Sequence, residues 1–285
     1  MIKEYIENNF EKILSDIVEI IKIKTVKEKA TGDAPFGKNL KYGLEKTLEI
    51  AKKLGFRVKN LDNYVGYAEI GEGDEYIAIL GHIDVVPEGD ISKWSVNPYG
   101  GEIRDNLLIA RGAIDNKGPN QLQIAELFQT SKQNVSKHIK AILEENPGFN
   151  KRVRIIFGTN EESGDEDIKY YLACEKAPKY AFTPDGRFPV IFSEKGIYTF
   201  SFRKMINWNK TEVLEIEAGT RSNVVPELGR IVFKNSILPR LDKGLESVGK
   251  ISKCSFNVKN NGDKVEVFID GKAAHASSPE RGINS

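Results

Sequence analysis

His82 and Asp84 stand two residues apart just past an apolar run, Tyr76–Leu80. Residues at i and i+2 of an extended segment point the same way. Asp115, the adjacent pair Glu161-Glu162, and Asp185 come later, each directly behind another apolar run or a predicted hairpin. Singly, each has an ordinary reading: a hydrogen-bonded His–Asp pair, turns at Asp115-Asn116 and Asp185-Gly186, a solvated helix start at Glu161-Glu162. Together they offer one imidazole and several carboxylates, a donor set that suits zinc or another divalent ion in a dinuclear arrangement bridged by one carboxylate. Such ions lower the pKa of water until hydroxide is available near neutral pH, so the chemistry open to the set is hydrolysis. Only three histidines occur in the chain, so any metal must lean on carboxylates.

The elements that would carry these residues can be read from hydrophobic spacing. Tyr76–Leu80, Val153–Phe157 and Tyr180–Phe182 are nearly continuous apolar runs, as expected of sheet strands covered on both faces. Each leads at once into polar residues, and ligands of open α/β sheets bind beyond the carboxyl ends of strands. Apolar residues three or four apart from Ile2 to Ile21 predict a long first helix, and Leu40, Leu44 and Leu48 a second over about 39–54, stopped at Gly55. Asp62–Ile70 reads as a strand, and 102–111 as a hairpin turning at Asp105-Asn106. Helices are expected near 117–145 and 165–176. After about residue 190 the pattern alternates, with Tyr198, Phe200 and Phe202, then Leu214 and Ile216, then Val265, Val267 and Ile269, which predicts a sheet with one wet face and a helix around 238–250. The fold class expected is α/β, with a mixed, largely parallel sheet over residues 1–190 and a smaller α+β domain over 191–285.

The 285 residues carry 42 Lys and Arg against 41 Asp and Glu, a net charge of +1. That balance argues against a nucleic-acid binder, which needs a basic excess. No run approaches the roughly 18 apolar residues of a membrane span. Two cysteines outside any C-x-x-C pair, and a start lacking the basic-then-apolar pattern of a signal peptide, lead us to expect a cytoplasmic chain. Cys174 and Cys254 are expected to be structural, and Lys151-Arg152 with Arg154 to be a solvated strand entry.

Gly81-His82-Ile83-Asp84-Val85-Val86-Pro87 resembles the H-x-D-V-V-P segment of the dinuclear zinc exopeptidase and deacylase clan that includes aminoacylase and carnosinase. Arg111-Gly112-Ala113-Ile114-Asp115-Asn116-Lys117-Gly118, Thr159-Asn160-Glu161-Glu162-Ser163-Gly164 and Thr183-Pro184-Asp185-Gly186 resemble its next blocks, in order. Asn223-Val224-Val225-Pro226 and His275-Ala276-Ser277-Ser278-Pro279 resemble the signatures of its lid domain. Phe36-Gly37, the insertion after residue 130 and Phe192–Gly196 make the chain most similar to the dipeptidase V, or Xaa-His dipeptidase, branch.

The resemblance implies a zinc-exopeptidase-like catalytic domain and a lid, acting on small peptides as a monomer. It implies that His82 and Asp185 hold one zinc, that Glu162 ligates the second, and that Asp115 bridges them. Asp84 would fix the His82 tautomer, and Glu161 would be the general base. His275 would meet the oxyanion and Asn223 would contact the substrate. The bond after Asp115 would be cis. By the same comparison, the sequence stops inside the lid. The final His ligand of the second zinc and a carboxylate-reading Arg are then expected beyond residue 285, leaving the second site with Glu162 and Asp115 alone. Two readings stand beside the dipeptidase: a non-catalytic truncated remnant, and an N-acyl-amino-acid deacylase of the same clan.

Overall fold

The computed structural model describes residues 8–119, 152–185, 191, 196, 198, 200–219 and 222–285. The chain divides into two compact units, Met1–Ile191 and Phe192–Ser285.

The first unit opens with helix α1 (Phe10–Ile21), which buries Ile13, Ile17, Ile20 and Ile21, and helix α2 (Lys38–Lys53). The chain leaves α2 through Gly55 at φ 90°, a left-handed conformation that glycine adopts without steric cost. A five-stranded sheet follows, of order β1-β2-β6-β3-β7. Its strands are β1 (Arg57–Leu61), β2 (Val65–Ile70), β3 (Tyr76–His82), β6 (Arg152–Gly158) and β7 (Tyr180–Phe182). β2 is antiparallel to β1 and β6, whereas β3 is parallel to β6 and β7, so the sheet is mixed. On one face, Leu40, Leu44 and Leu48 of α2 pack over Ala68, Ile79, Ile155 and Phe157. On the other, Tyr171 of helix α3 (Glu166–Cys174) packs with Tyr67, Tyr76, Ala78 and Ile156. Burial on both faces is the reason the central strands read as continuous apolar runs. Between β3 and β6 lies a hairpin of β4 (Glu102–Arg104) and β5 (Leu107–Ile109), which turns at Asp105 and Asn106, both at positive φ.

The structure corrects several expectations. The strand expected at Asp62–Ile70 begins only at Val65, because Asp62 and Asn63 adopt left-handed backbone in the turn from β1. Arg154, expected to be solvated, is 1% exposed. Its guanidinium bonds Glu69 and Glu175 and lies over the Tyr67 ring, so partners replace water. Tyr198, Phe200 and Phe202 lie in no strand and are exposed, because alternation makes a strand only where a neighbour completes the ladder. Cys174 is a free, exposed thiol. Residues 117–119 are helical, and the rest of the helix expected to 145, with His138, lies outside the described residues. No helix among the described residues is long and apolar enough to cross a membrane.

In the second unit, β8 (Val213–Ala218), β10 (Leu228–Lys234), β11 (Ser255–Asn260) and β12 (Lys264–Asp270) form an antiparallel sheet of order β11-β12-β10-β8. Helix α4 (Leu238–Ser252) seats Leu241 and Leu245 against Val265, Val267 and Phe233 on one face. A two-residue ribbon pairs β9 (Val224–Val225) with β13 (Ala274–His275).

Candidate metal centre

The parallel registers bring three strand ends to one rim. His82 is the last residue of β3 and pairs with Gly158, the last of β6; Ile79 pairs with Phe182, the last of β7. Glu161 therefore leaves the sheet three residues past β6, and Asp185 three residues past β7, on the same side as the imidazole.

His82 is 2% exposed, and its Nε2 lies 3.0 Å from Asp115 Oδ1, 3.1 Å from Asp185 Oδ2 and 3.8 Å from Glu161 Oε2. Burial pushes the imidazole pKa down, but the hydrogen bonds of Asp115, Asp185 and Asp84 outweigh it and raise it. Asp185 is held below the usual carboxylate range, first by the imidazole. Burial, with the neighbouring charges of Glu162, Asp84 and Asp185, pushes Glu161 up to about 7 against the opposing influence of His82. Glu162 is raised by burial and by Asp115, and its Oε1 accepts the amide of Val86 at 3.3 Å. Burial, and after it the neighbouring carboxylates, disfavour the charged forms of Glu161 and Glu162, and a bound cation would offset that penalty.

The loops are tied from behind. Thr25 Oγ1 donates to Ile83 O at 2.6 Å, and Val85 N to Thr25 O at 3.0 Å, fixing the strand exit that carries His82 and Asp84. Lys117, fully buried, donates its Nζ to Ile20 O at 3.1 Å and Ile23 O at 2.8 Å, anchoring the Asp115 turn on the end of α1. Burial pulls the Lys117 ammonium down to about 7. The Asp115-Asn116 bond is cis. Sequence reading passed over Lys117 as an anchor, although it stands in the Asp115 block; a lone lysine gives no sign of where its ammonium will be buried.

Donor chemistry and spacing both fit a divalent cation. Ligand atoms of His82, Glu161 and Asp185 lie within 4.8 Å of one another. Donors bound about 2.0–2.2 Å from one zinc sit roughly 3–3.5 Å apart, the range seen from Nε2 to Asp115 and Asp185. The structure thus gathers His82, Asp84, Asp115, Glu161, Glu162 and Asp185 in the first unit. In the second unit it sets Asn223 and His275 side by side: Asn223 O accepts the amide of Ala276 at 2.8 Å, and His275 Nδ1 pairs with Ser277 Oγ at 2.7 Å.

Residues 78–199, which span this whole rim, match the model of peptidase family M20/M25/M40. Over that segment the chain is similar to that family. The chain is 33% identical to the putative dipeptidase YtjP of Bacillus subtilis (strain 168) over 285 residues, covering 96% of the chain and 58% of YtjP. It is 32% identical to the Beta-Ala-Xaa dipeptidase of Lactobacillus delbrueckii subsp. lactis, covering 99% of the chain and 58% of that enzyme. The chain therefore spans 58% of the length of each of these relatives. Its fold is like that of the dipeptidase Dug1p of Saccharomyces cerevisiae, with TM-score 0.50 and 18% identity over 65% of this chain and 40% of that one.

Proposed function

We propose that this site serves metal-dependent hydrolysis of dipeptides. His82 and Asp185 would hold one cation, Glu162 a second, and Asp115 would lie between them. Two zinc ions suit the set, since imidazole nitrogen and carboxylate oxygen are both zinc donors. The cations, when bound, would polarise the scissile carbonyl and make hydroxide available near neutral pH. The observation that carries the reading is the placement of His82 Nε2 between Asp115 and Asp185, with Glu161 3.8 Å away.

The protein's own groups take the remaining tasks. Glu161 has a side chain 52% exposed, beside an imidazole that is 2% exposed. Its carboxylate lies within cation reach of His82 and Asp185, but we assign it to the attacking water, whose proton it would remove and return to the leaving amine. His275 is proposed to donate a hydrogen bond to the developing oxyanion, and Asn223 to bind the substrate. The 32% identity with a Beta-Ala-Xaa dipeptidase, aligned over 99% of the chain and 58% of that enzyme, supports a dipeptide substrate.

The test is calorimetric titration of the metal-stripped chain with Zn²⁺, together with release of free amino acid from β-alanyl and α-linked dipeptides. Saturable cation binding is expected of the chain, and chelator-sensitive hydrolysis once the remaining ligand of the second cation is supplied. A chain that binds no cation loses the reading. One that binds but leaves every dipeptide intact while cleaving N-acyl amino acids would be a deacylase instead.

A further inference from the structure

Four consecutive amides lead out of β6, and every one donates to a buried carboxylate. Thr159 N and Asn160 N meet Asp167 Oδ2 at 2.6 and 2.9 Å. Glu161 N and Glu162 N meet Asp84 Oδ1 and Oδ2 at 3.2 and 3.1 Å. Asp167 is 0% exposed, and its other oxygen accepts Ile168 N at 2.8 Å. Burying a carboxylate is costly unless it is fully hydrogen-bonded, and here three backbone N–H groups provide that. The carboxylate reaches back from the first turn of α3 to the rim. A Cβ on Gly158 would lie 2.8 Å from Asp167 Oδ2 and 3.5 Å from His82 Cβ, so only a glycine fits at the end of β6 with this carboxylate in place.

We infer that Asp167 is a positioning residue, fixing the exit of β6 so that Glu161 and Glu162 leave the sheet facing His82. The inference rests on the proposed reading of Glu162 as a cation ligand. Asp84 secures the second half of the turn, but its hold on the Glu161 and Glu162 amides is useful only if Thr159 and Asn160 have already set the chain's direction. Partners behind metal ligands commonly change cation affinity 10–100-fold.

The experiment measures Co²⁺ affinity of the full chain by its visible d–d bands, alongside amide hydrogen exchange at Thr159 and Asn160. Asp167→Ala removes both acceptors and is expected to weaken Co²⁺ at least about tenfold, to alter the band pattern and to speed exchange at the two amides. Asp167→Asn keeps an oxygen for the amides without the charge and is expected to fall between wild type and Asp167→Ala. Leu48→Ala, which loosens the sheet from α2, is expected to lower stability while leaving Co²⁺ affinity unchanged. Wild-type affinity in a folded Asp167→Ala, with faster exchange at Thr159 and Asn160, overturns the inference and leaves the metal reading standing. If Asp167→Ala does not fold, wild-type affinity and spectrum in Asp167→Asn overturn it equally. A wild-type chain that takes up no Co²⁺ overturns the metal reading, and this inference with it.

Discussion

His82 Nδ1 lies 2.9 Å from the backbone carbonyl of Asp84, closer than the 3.4 Å to that residue's own carboxylate. The backbone oxygen is thus the nearer acceptor that sets the imidazole tautomer and leaves Nε2 facing Asp115 and Asp185. The Asp84 carboxylate divides its oxygens between the amides of Glu161 and Glu162. Asp84→Asn is therefore expected to keep Nδ1 protonated, as read by ¹⁵N chemical shifts of the ring, while cation affinity falls about tenfold or more because the turn is released. A tautomer change with unaltered affinity would reverse that division of labour.

The adjacent glutamates should separate cleanly. In a chain completed to the length of its relatives, Glu161→Gln is expected to lower dipeptide hydrolysis by about 10²–10⁴-fold, the usual range for a general acid–base group, with cation stoichiometry kept. Glu162→Gln and His82→Ala are expected to lose cation binding in the same titration. Full turnover in Glu161→Gln would assign the proton transfer elsewhere.

Gly118 closes the Asp115 turn. A Cβ there would fall 2.2 Å from Ala113 O, and backbone cannot yield as a flexible side chain would. Gly118→Ala is expected to cost roughly 1–3 kcal/mol in urea unfolding and to weaken cation binding by moving Asp115. Unchanged stability would mean that the turn has room the geometry denies it.

The buried Arg154 network predicts acid sensitivity. Burial pushes Glu69 and Glu175 up, but hydrogen bonds from Arg154, with Arg152 on Glu69 and Lys59 on Glu175, prevail and hold both below the usual carboxylate range. Carboxylates with depressed folded pKa values contribute stability above their unfolded pKa of about 4.3 and lose it as pH falls through the folded values. Urea midpoints should therefore drop below about pH 4.3. Arg154→Met removes the shared partner of two carboxylates that are only 13% and 14% exposed and leaves them to Arg152 and Lys59, at a cost of up to about 3 kcal/mol. It should also flatten the pH dependence, since Glu69 and Glu175 would then titrate nearer to their unfolded values. An Arg154→Met midpoint matching wild type at pH 7 would refute this account.

The sheet was legible wherever burial on both faces left a plain apolar run, as at Ile77–Leu80 and Val153–Phe157. The rim residues followed because each polar block begins where such a run stops. β1 was hidden because Arg57, Lys59 and Asn60 lie on an exposed edge and carry no apolar signal. Arg154 misled for the opposite reason: in a doubly covered strand the residue between two buried neighbours is buried too, and only its tertiary partners make that tolerable. Asp167 was invisible beside Asp165 and Glu166, which are exposed. Nothing in composition tells which of three neighbouring acids will turn inward.

The parallel pairing of β3 with both β6 and β7 has a kinetic corollary. Residues 82, 161 and 185 meet only after long loops have closed, and such non-local pairing is slow. Ion uptake would therefore arrive late in refolding, as a clock for the last strand to dock rather than a seed for the first.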